Sequence, residues 1–206
     1  MQGGRSGVAY LDEEEPPGGE GDRLLAAVRA GDETAFRALY RNLQPRLLRY
    51  ATALVGGEAE DVTAEAWLHI ARDLHRFRGD IDGFRGWAAT IVRNRAMDAL
   101  RARSRRPADA TDVTTLAERP GPEDTAGTAL DALSSRAAIA MIAALPRVEA
   151  EAVLLRAVVG LDSTAAGKVL GKRAGAVRIA AHRGLRRLAR EFDVTALVPA
   201  QRDGDE

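Results

Sequence analysis

Residues 107–129 break the hydrophobic rhythm of the chain. They hold Pro107, Pro120, Gly121, Pro122 and Gly127 among scattered Thr and Asp, with no sustained apolar period. Such a stretch cannot bury enough apolar surface to offset the entropy of ordering it, and it reads as a flexible, acid-rich linker. Whatever lies on either side must build its own core, so two small domains are expected rather than one. On both sides apolar residues recur at steps of three and four, the period of a helix. Hydrophobic residues are 46% of the chain but aromatics only 4%, and Ala, Leu and Arg dominate over β-branched types. That balance favours helix over sheet. The expected fold is all-α: a helical bundle over 23–106 and a helix-turn-helix domain over 133–192. The linker between them is 107–132, and acidic tails run over 1–22 and 193–206.

Element by element, Asp22 is placed to cap a short first helix carrying Leu24, Leu25 and Val28, and Asp32 to cap the next. Pro45 should kink or restart that second helix, which ends at Gly56-Gly57. A third helix presents Val62, Ala66, Ile70 and Leu74 at steps of four. A loop over 75–84 leads into a fourth helix over about 84–104. After the linker, one helix ends before Pro146 and Pro146 opens the next. A shorter one over 162–170, a turn at Gly171-Lys172-Arg173 and a last helix over about 174–191 complete the chain.

The 30 basic and 30 acidic residues cancel, yet they are not mixed. Seven Arg against one Asp fall in 84–106, and eight Lys or Arg against one Glu in 165–191. The linker and both tails are acidic. A basic run by itself is often only a solvated face. Two such blocks, each on a helix with an apolar stripe, point to nucleic acid.

In the last helix Val177, Ala181, Gly184 or Leu185, and Leu188 form the inward stripe. Arg178, His182, Arg186 and Arg190 step by four along another face, flanked by Arg183 and Arg187. A helix fits the major groove, where Arg can hold guanine bidentately or pin phosphates. Over 84–101, Phe84, Trp87, Arg93, Asn94, Arg95 and Arg101 interleave rings with cations and an amide. Rings stack on unpaired bases while Arg holds the backbone, a pattern suited to single-stranded DNA. Phe84 and Trp87 also fall on the apolar stripe, so packing and stacking both stay open for them.

These segments together resemble the extracytoplasmic-function (ECF) sigma factors, the small two-domain bacterial transcription initiation factors. Asp32 to Tyr40 is similar to the opening helix of that family's first domain, and Glu60 to Trp67 to its acidic polymerase-docking helix. Residues 84–101 resemble its −10-reading, promoter-melting helix. Gly160 to Gly171, Gly175 to Arg178 and His182-Arg183 resemble its −35-reading helix-turn-helix. The resemblance covers roughly 30–106 and 135–190. It implies that Asp61 and Glu65 meet core RNA polymerase. It further implies that Phe77, Arg78, Phe84, Trp87, Arg93, Asn94, Arg95 and Arg101 engage the −10 element, with a flipped base captured by the 75–84 loop. Lys172, Arg173, Arg178, His182, Arg183, Arg186 and Arg187 would engage the −35 element. An anti-sigma factor covering these surfaces is implied as a partner. The chain departs from the family's usual residues at Ala64 (Gln), Ala165 (Glu), Lys172 (apolar) and Ala180 (basic).

Other classes fit less well. There is no cysteine, which excludes disulfides, thiolate metal sites and a thiol nucleophile. No phosphate-cradling glycine loop is present. His69, His75 and His182 lie far apart and lack a zinc spacing. Neither an enzyme nor a cofactor is expected. No signal core or apolar run of membrane-spanning length occurs, and a cytoplasmic location is expected. A stand-alone helix-turn-helix regulator is the alternative, although it has no use for a single-strand-binding helix.

Overall fold

The structure, a computed structural model, describes residues 19–105 and 136–191. The proposed linker 107–132, residues 1–18 of the first tail and the tail 193–206 lie outside the described residues. Every regular element described is helical: α1 (Glu20–Arg29), α2 (Glu33–Val55), α3 (Ala59–Asp73) and α4 (Ile81–Arg105) in the first half. The second half has α5 (136–143), α6 (Arg147–Val153), α7 (Ser163–Leu170) and α8 (Ala174–Glu191). No described helix is long and apolar enough to cross a membrane.

Asp32 caps α2 as expected, its carboxylate accepting from Ala35 N at 3.0 Å. Asp22 does not cap α1, which starts two residues earlier behind Gly19. Its carboxylate instead accepts from Ile81 N at 2.8 Å, satisfying a free donor at the start of α4. Asp80 takes another, accepting from Gly83 N at 2.7 Å. These two bonds are why α4 begins at Ile81, and the expected 75–84 loop shrinks to Phe77–Asp80 after a 3-10 turn over Leu74–Arg76.

Pro45 neither ends nor restarts α2, which runs unbroken through it. Its missing N–H frees the carbonyl of Arg41 at the exposed surface. Leu39 and Leu43 before it and Leu47, Tyr50 and Ala51 after it are all buried, and that packing on both sides outweighs the lost bond. In α3, Val62, Ala66, Ile70 and Leu74 form the buried line read from their spacing. Helices α2, α3 and α4 pack on one another, with α1 against α2.

In the second half α6 passes into a π-helical turn over Leu154–Val158 before α7. Helix α8 packs across α6 and α7. The two halves also touch, through α4 against α7 and α2 against the π turn, so their buried residues join in one cluster.

Candidate nucleic-acid interface

The helix-turn-helix is built from small residues at close approaches. Asp162 caps α7, accepting from Ala165 N at 2.6 Å. Gly171 closes it in the left-handed region at φ +63°. Lys172 N then donates to Gly167 O at 2.8 Å. A Cβ on Gly167 would lie 2.6 Å from the Lys172 carbonyl oxygen, so the turn has no room for a side chain there. On α8 the inward stripe runs through Val177, Ala181 and Gly184. A Cβ on Gly184 would meet Val153 at 2.8 Å and Leu145 at 3.2 Å, while Leu185 is 52% exposed. The choice left open between Gly184 and Leu185 falls to Gly184.

Lys172, Arg173, Arg178, His182, Arg183, Arg186 and Arg187 are all exposed. Arg187 is the one committed inside the domain, its Nε 2.9 Å from Glu149 Oε2. That pair ties α8 to α6. Arg178 and His182 line a groove of about 350 Å³ with Arg156, floored by Val153 and Ala181. The result is a basic face on one rigid helix, the arrangement that enters a major groove.

The start of α4 is organised differently from the expectation. Phe84 is 0% exposed, so it is a core residue and cannot receive a base. Of the two roles left open by its place on the apolar stripe, packing is the one it fills. Phe77 is half-buried and stacks on Trp87 with ring centroids 5.2 Å apart and planes at 30°. Phe84 supports both rings from beneath, edge-on to Phe77 at 5.5 Å. The Arg29 guanidinium lies 5.5 Å from the Phe77 ring centre and donates to Gly79 O at 2.7 Å. The rings therefore form a packed platform, with Trp87 and Phe77 half-exposed at its surface. Arg78 is exposed and folds back to donate to the carbonyls of His75 and Phe77.

Further along α4, Asn94 and Arg101 are exposed on the same side as Trp87, at steps of seven. Asp98 holds Arg101 at 2.8 Å. Arg95 approaches Glu65 on α3 at 3.7 Å. Arg93 is a correction: it does not face outward with Asn94. Its Nε donates to Glu151 Oε2 at 2.6 Å, across the contact between the halves. That hydrogen bond holds the Arg93 guanidinium charged, above its ordinary value. Burial, then the Glu151 carboxylate, push the nearby Tyr50 phenol up, and it stays protonated.

Asp61 and Glu65 are exposed on α3, with Leu68 beside them at 73% exposure. Val62, Ala66 and Trp67 face the core. Trp67 packs against Phe36 and Tyr40, and its indole N–H donates to Gln44 Oε1. Among the described residues no group of three or more His, Asp or Glu is placed to hold a metal.

Sequence reasoning missed Glu151, Arg147 and Met97, which gather with Arg93 between the halves, and Gly86, which packs on Ala165. One signal was available: Glu151 is the lone acid in Ala150-Glu151-Ala152-Val153-Leu154-Leu155. A charge in an apolar run needs a buried partner.

Comparison with known proteins follows the same division. Residues 39–106 match the model of Sigma-70 region 2, and residues 135–188 that of Sigma-70, region 4. The chain is 34% identical over 186 residues to the ECF RNA polymerase sigma factor SigD of Mycobacterium tuberculosis, covering 84% of this chain and 85% of that one. It is 32% identical over 176 residues to the ECF RNA polymerase sigma factor BldN of Streptomyces coelicolor, covering 81% and 64%. Among solved structures it shares its fold with the sigma factor RpoE of Bartonella quintana, crystallised with the anti-sigma factor NepR. There the TM-score is 0.60 at 20% identity, over 77% of this chain and 97% of that one. CnrH in complex with the cytosolic domain of CnrY gives 0.57 at 21%, over 84% and 97%.

Proposed function

Since the chain belongs to the ECF RNA polymerase sigma factors, we propose that it binds core RNA polymerase and directs it to promoters, with α8 on the −35 element and α4 on the −10 element. The observation that carries this is the pairing of two different nucleic-acid faces in one chain. The exposed cations of α8 sit on a helix-turn-helix, a duplex reader. Trp87, at the surface of the aromatic platform, shares one side of α4 with Asn94 and Arg101, a face suited to unstacked bases. A regulator that binds duplex alone has no use for the second face.

The working division is a −10 and polymerase-binding domain over 20–106, which takes in Glu20–Asp22 because they belong to α1, and a −35 domain over 133–192, with 107–132 as linker and acidic tails outside them. On α3, Asp61, Glu65 and the exposed Leu68 are the polymerase contact, an acidic face around one apolar anchor. The −35 contact is Lys172, Arg173, Arg178, His182, Arg183 and Arg186, with Arg187 acting through Glu149. The −10 contact is Phe77, Arg78, Trp87, Asn94, Arg95 and Arg101, with Phe84 as its support. This makes the chain a transcription initiation factor rather than an enzyme, working in the cytoplasm. Family membership, and the anti-sigma factor bound to the B. quintana RpoE, support such a factor as a further partner.

Co-purification with core polymerase tests the reading. A stable complex that also protects promoter DNA is the expected result. Binding to duplex alone, with no affinity for polymerase, would leave a stand-alone helix-turn-helix regulator.

A further inference from the structure

Helix α1 ends before residue 39, where the region 2 match begins, yet it holds the loop that carries Phe77. Leu25 and Val28 are buried and seat α1 on α2. Asp22 and Arg29 lie seven residues apart, on one side of the helix. The Asp22 carboxylate accepts from Ile81 N at 2.8 Å, and Arg29 donates through a terminal nitrogen to Gly79 O at 2.7 Å. These two bonds grip the backbone on either side of Asp80, whose own carboxylate accepts from Gly83 N. The fit is close. A Cβ on Gly21 would lie 2.8 Å from the Ile81 side chain, and one on Gly79, at φ +145°, would lie 3.1 Å from the Phe77 ring. The Arg29 guanidinium also lies over that ring, and its Nε is buried without a hydrogen-bond partner. A donor withdrawn from water in this way costs stability, so Arg29 is not simply a solvated cation.

We propose that α1 is a strut for the Phe77–Asp80 loop, with Asp22 and Arg29 as positioning residues that set the Phe77–Trp87 platform in shape before an unpaired base arrives. Gly79 adopts a backbone conformation that favours glycine, the residue with the most freedom to lose on ordering. A loop left to order itself when the base binds would weaken capture, whereas one ordered during folding does not. Arg78 closes the loop from its own side, donating to the carbonyls of His75 and Phe77. Guanidinium groups thus hold the carbonyls of His75, Phe77 and Gly79. Asp22 and Arg29 lie on neither α3 nor α8, so the role belongs to strand opening and not to polymerase docking or duplex reading. The positioning role rests on the reading of α4 and its loop as the −10 contact; the strut does not.

Two variants of the full chain release the loop by different routes. Arg29→Met keeps the stem of the side chain and removes the donor and the charge. Asp22→Ala removes the acceptor for Ile81 N. Both leave Leu25 and Val28 in place, so α1 stays seated. Hydrogen exchange over residues 77–83 should quicken in both variants, with exchange over α2 unchanged. Each variant is then combined with core polymerase on a genomic fragment that the unmodified chain transcribes. The rate of thymine reactivity toward permanganate gives the opening step, and its dependence on polymerase concentration gives promoter affinity. Opening should slow about tenfold as the competent fraction of the loop falls, with promoter affinity unchanged. Across the variants, including Arg29→Lys, which keeps a donor and a charge, opening should track loop exchange. Unaltered exchange over 77–83 overturns the strut. Faster exchange with unaltered opening overturns the positioning role, and so does a loss of promoter affinity that accounts for the slower reaction. If the unmodified chain opens no fragment with polymerase while exchange responds as expected, the sigma-factor reading fails, the positioning role falls with it, and the strut is upheld.

Discussion

At the scale of single residues, the side chains that matter most are those whose neighbours come from distant sequence. Phe77 illustrates the difference. Gly79 and Gly83 after it suggest a loop ring held out for a base, yet it stacks on Trp87, lies edge-on to Phe84 and sits under Arg29. Phe77→Ala is therefore expected to cost about 2 kcal/mol of stability, below the range for a fully buried Phe because the ring is half-exposed. Chemical denaturation checks this, and Arg78→Ala, which is exposed, should leave the midpoint unchanged. On α8 the contrast is between Arg178 and Arg187. Arg178 has no ion-pair partner among the described residues, whereas Arg187 is paired with Glu149. Arg178→Ala should lose about 1–3 kcal/mol of binding on the preferred duplex and relax preference at one −35 position. Arg187→Ala should weaken binding to all sequences alike and lower stability slightly. Competition binding against a panel of single-base changes separates the two outcomes.

At the scale of elements, the fold was legible where the controlling signal was local. The Asp32 cap, the α3 line from Val62 to Leu74 and the Gly171 turn are each set by residues within one or two turns, and each stands where the pattern put it. The misreadings share one cause, which is a partner far along the chain. Asp22 bonds Ile81 rather than its own helix, and that bond moves the start of α4. Pro45 sits in α2 because packing on both sides of it prevails over the local rule. Arg93 leaves the DNA-facing set because Glu151 waits on another element. No periodicity within α4 contains that information.

Two predictions belong to this scale. Gly184→Val would push a side chain into Val153 and Leu145 and lift α8 from α6, at about 1–3 kcal/mol. Duplex affinity should fall with the thermal midpoint, whereas Ala189→Val, on the exposed side, should change neither. On α3, the paired change Asp61→Ala and Glu65→Ala leaves the Val62, Ala66 and Ile70 line intact. Circular dichroism should be unchanged while affinity for core polymerase drops. Unaltered affinity would reduce both acids to a solvated face.

At the scale of the whole molecule, the account joins two helical units with different tasks. The second half presents a basic helix suited to closed duplex, and the first presents rings and cations suited to bases already unpaired. The placement of the two basic blocks on separate helices was readable from the sequence, because each block accompanies a helical apolar period. Contact between the units was not readable, because Gly86, Arg93 and Met97 look like ordinary members of a basic helix until α7 and α6 are placed against them. The central claim is that the chain gives promoter specificity to core polymerase. Run-off transcription on genomic restriction fragments tests it most directly. Core polymerase with the chain should give discrete transcripts from a few fragments, and core polymerase or the chain alone should give none of them. If core polymerase supplied with the full chain starts no discrete transcript while the chain still binds duplex, the sigma-factor account is contradicted.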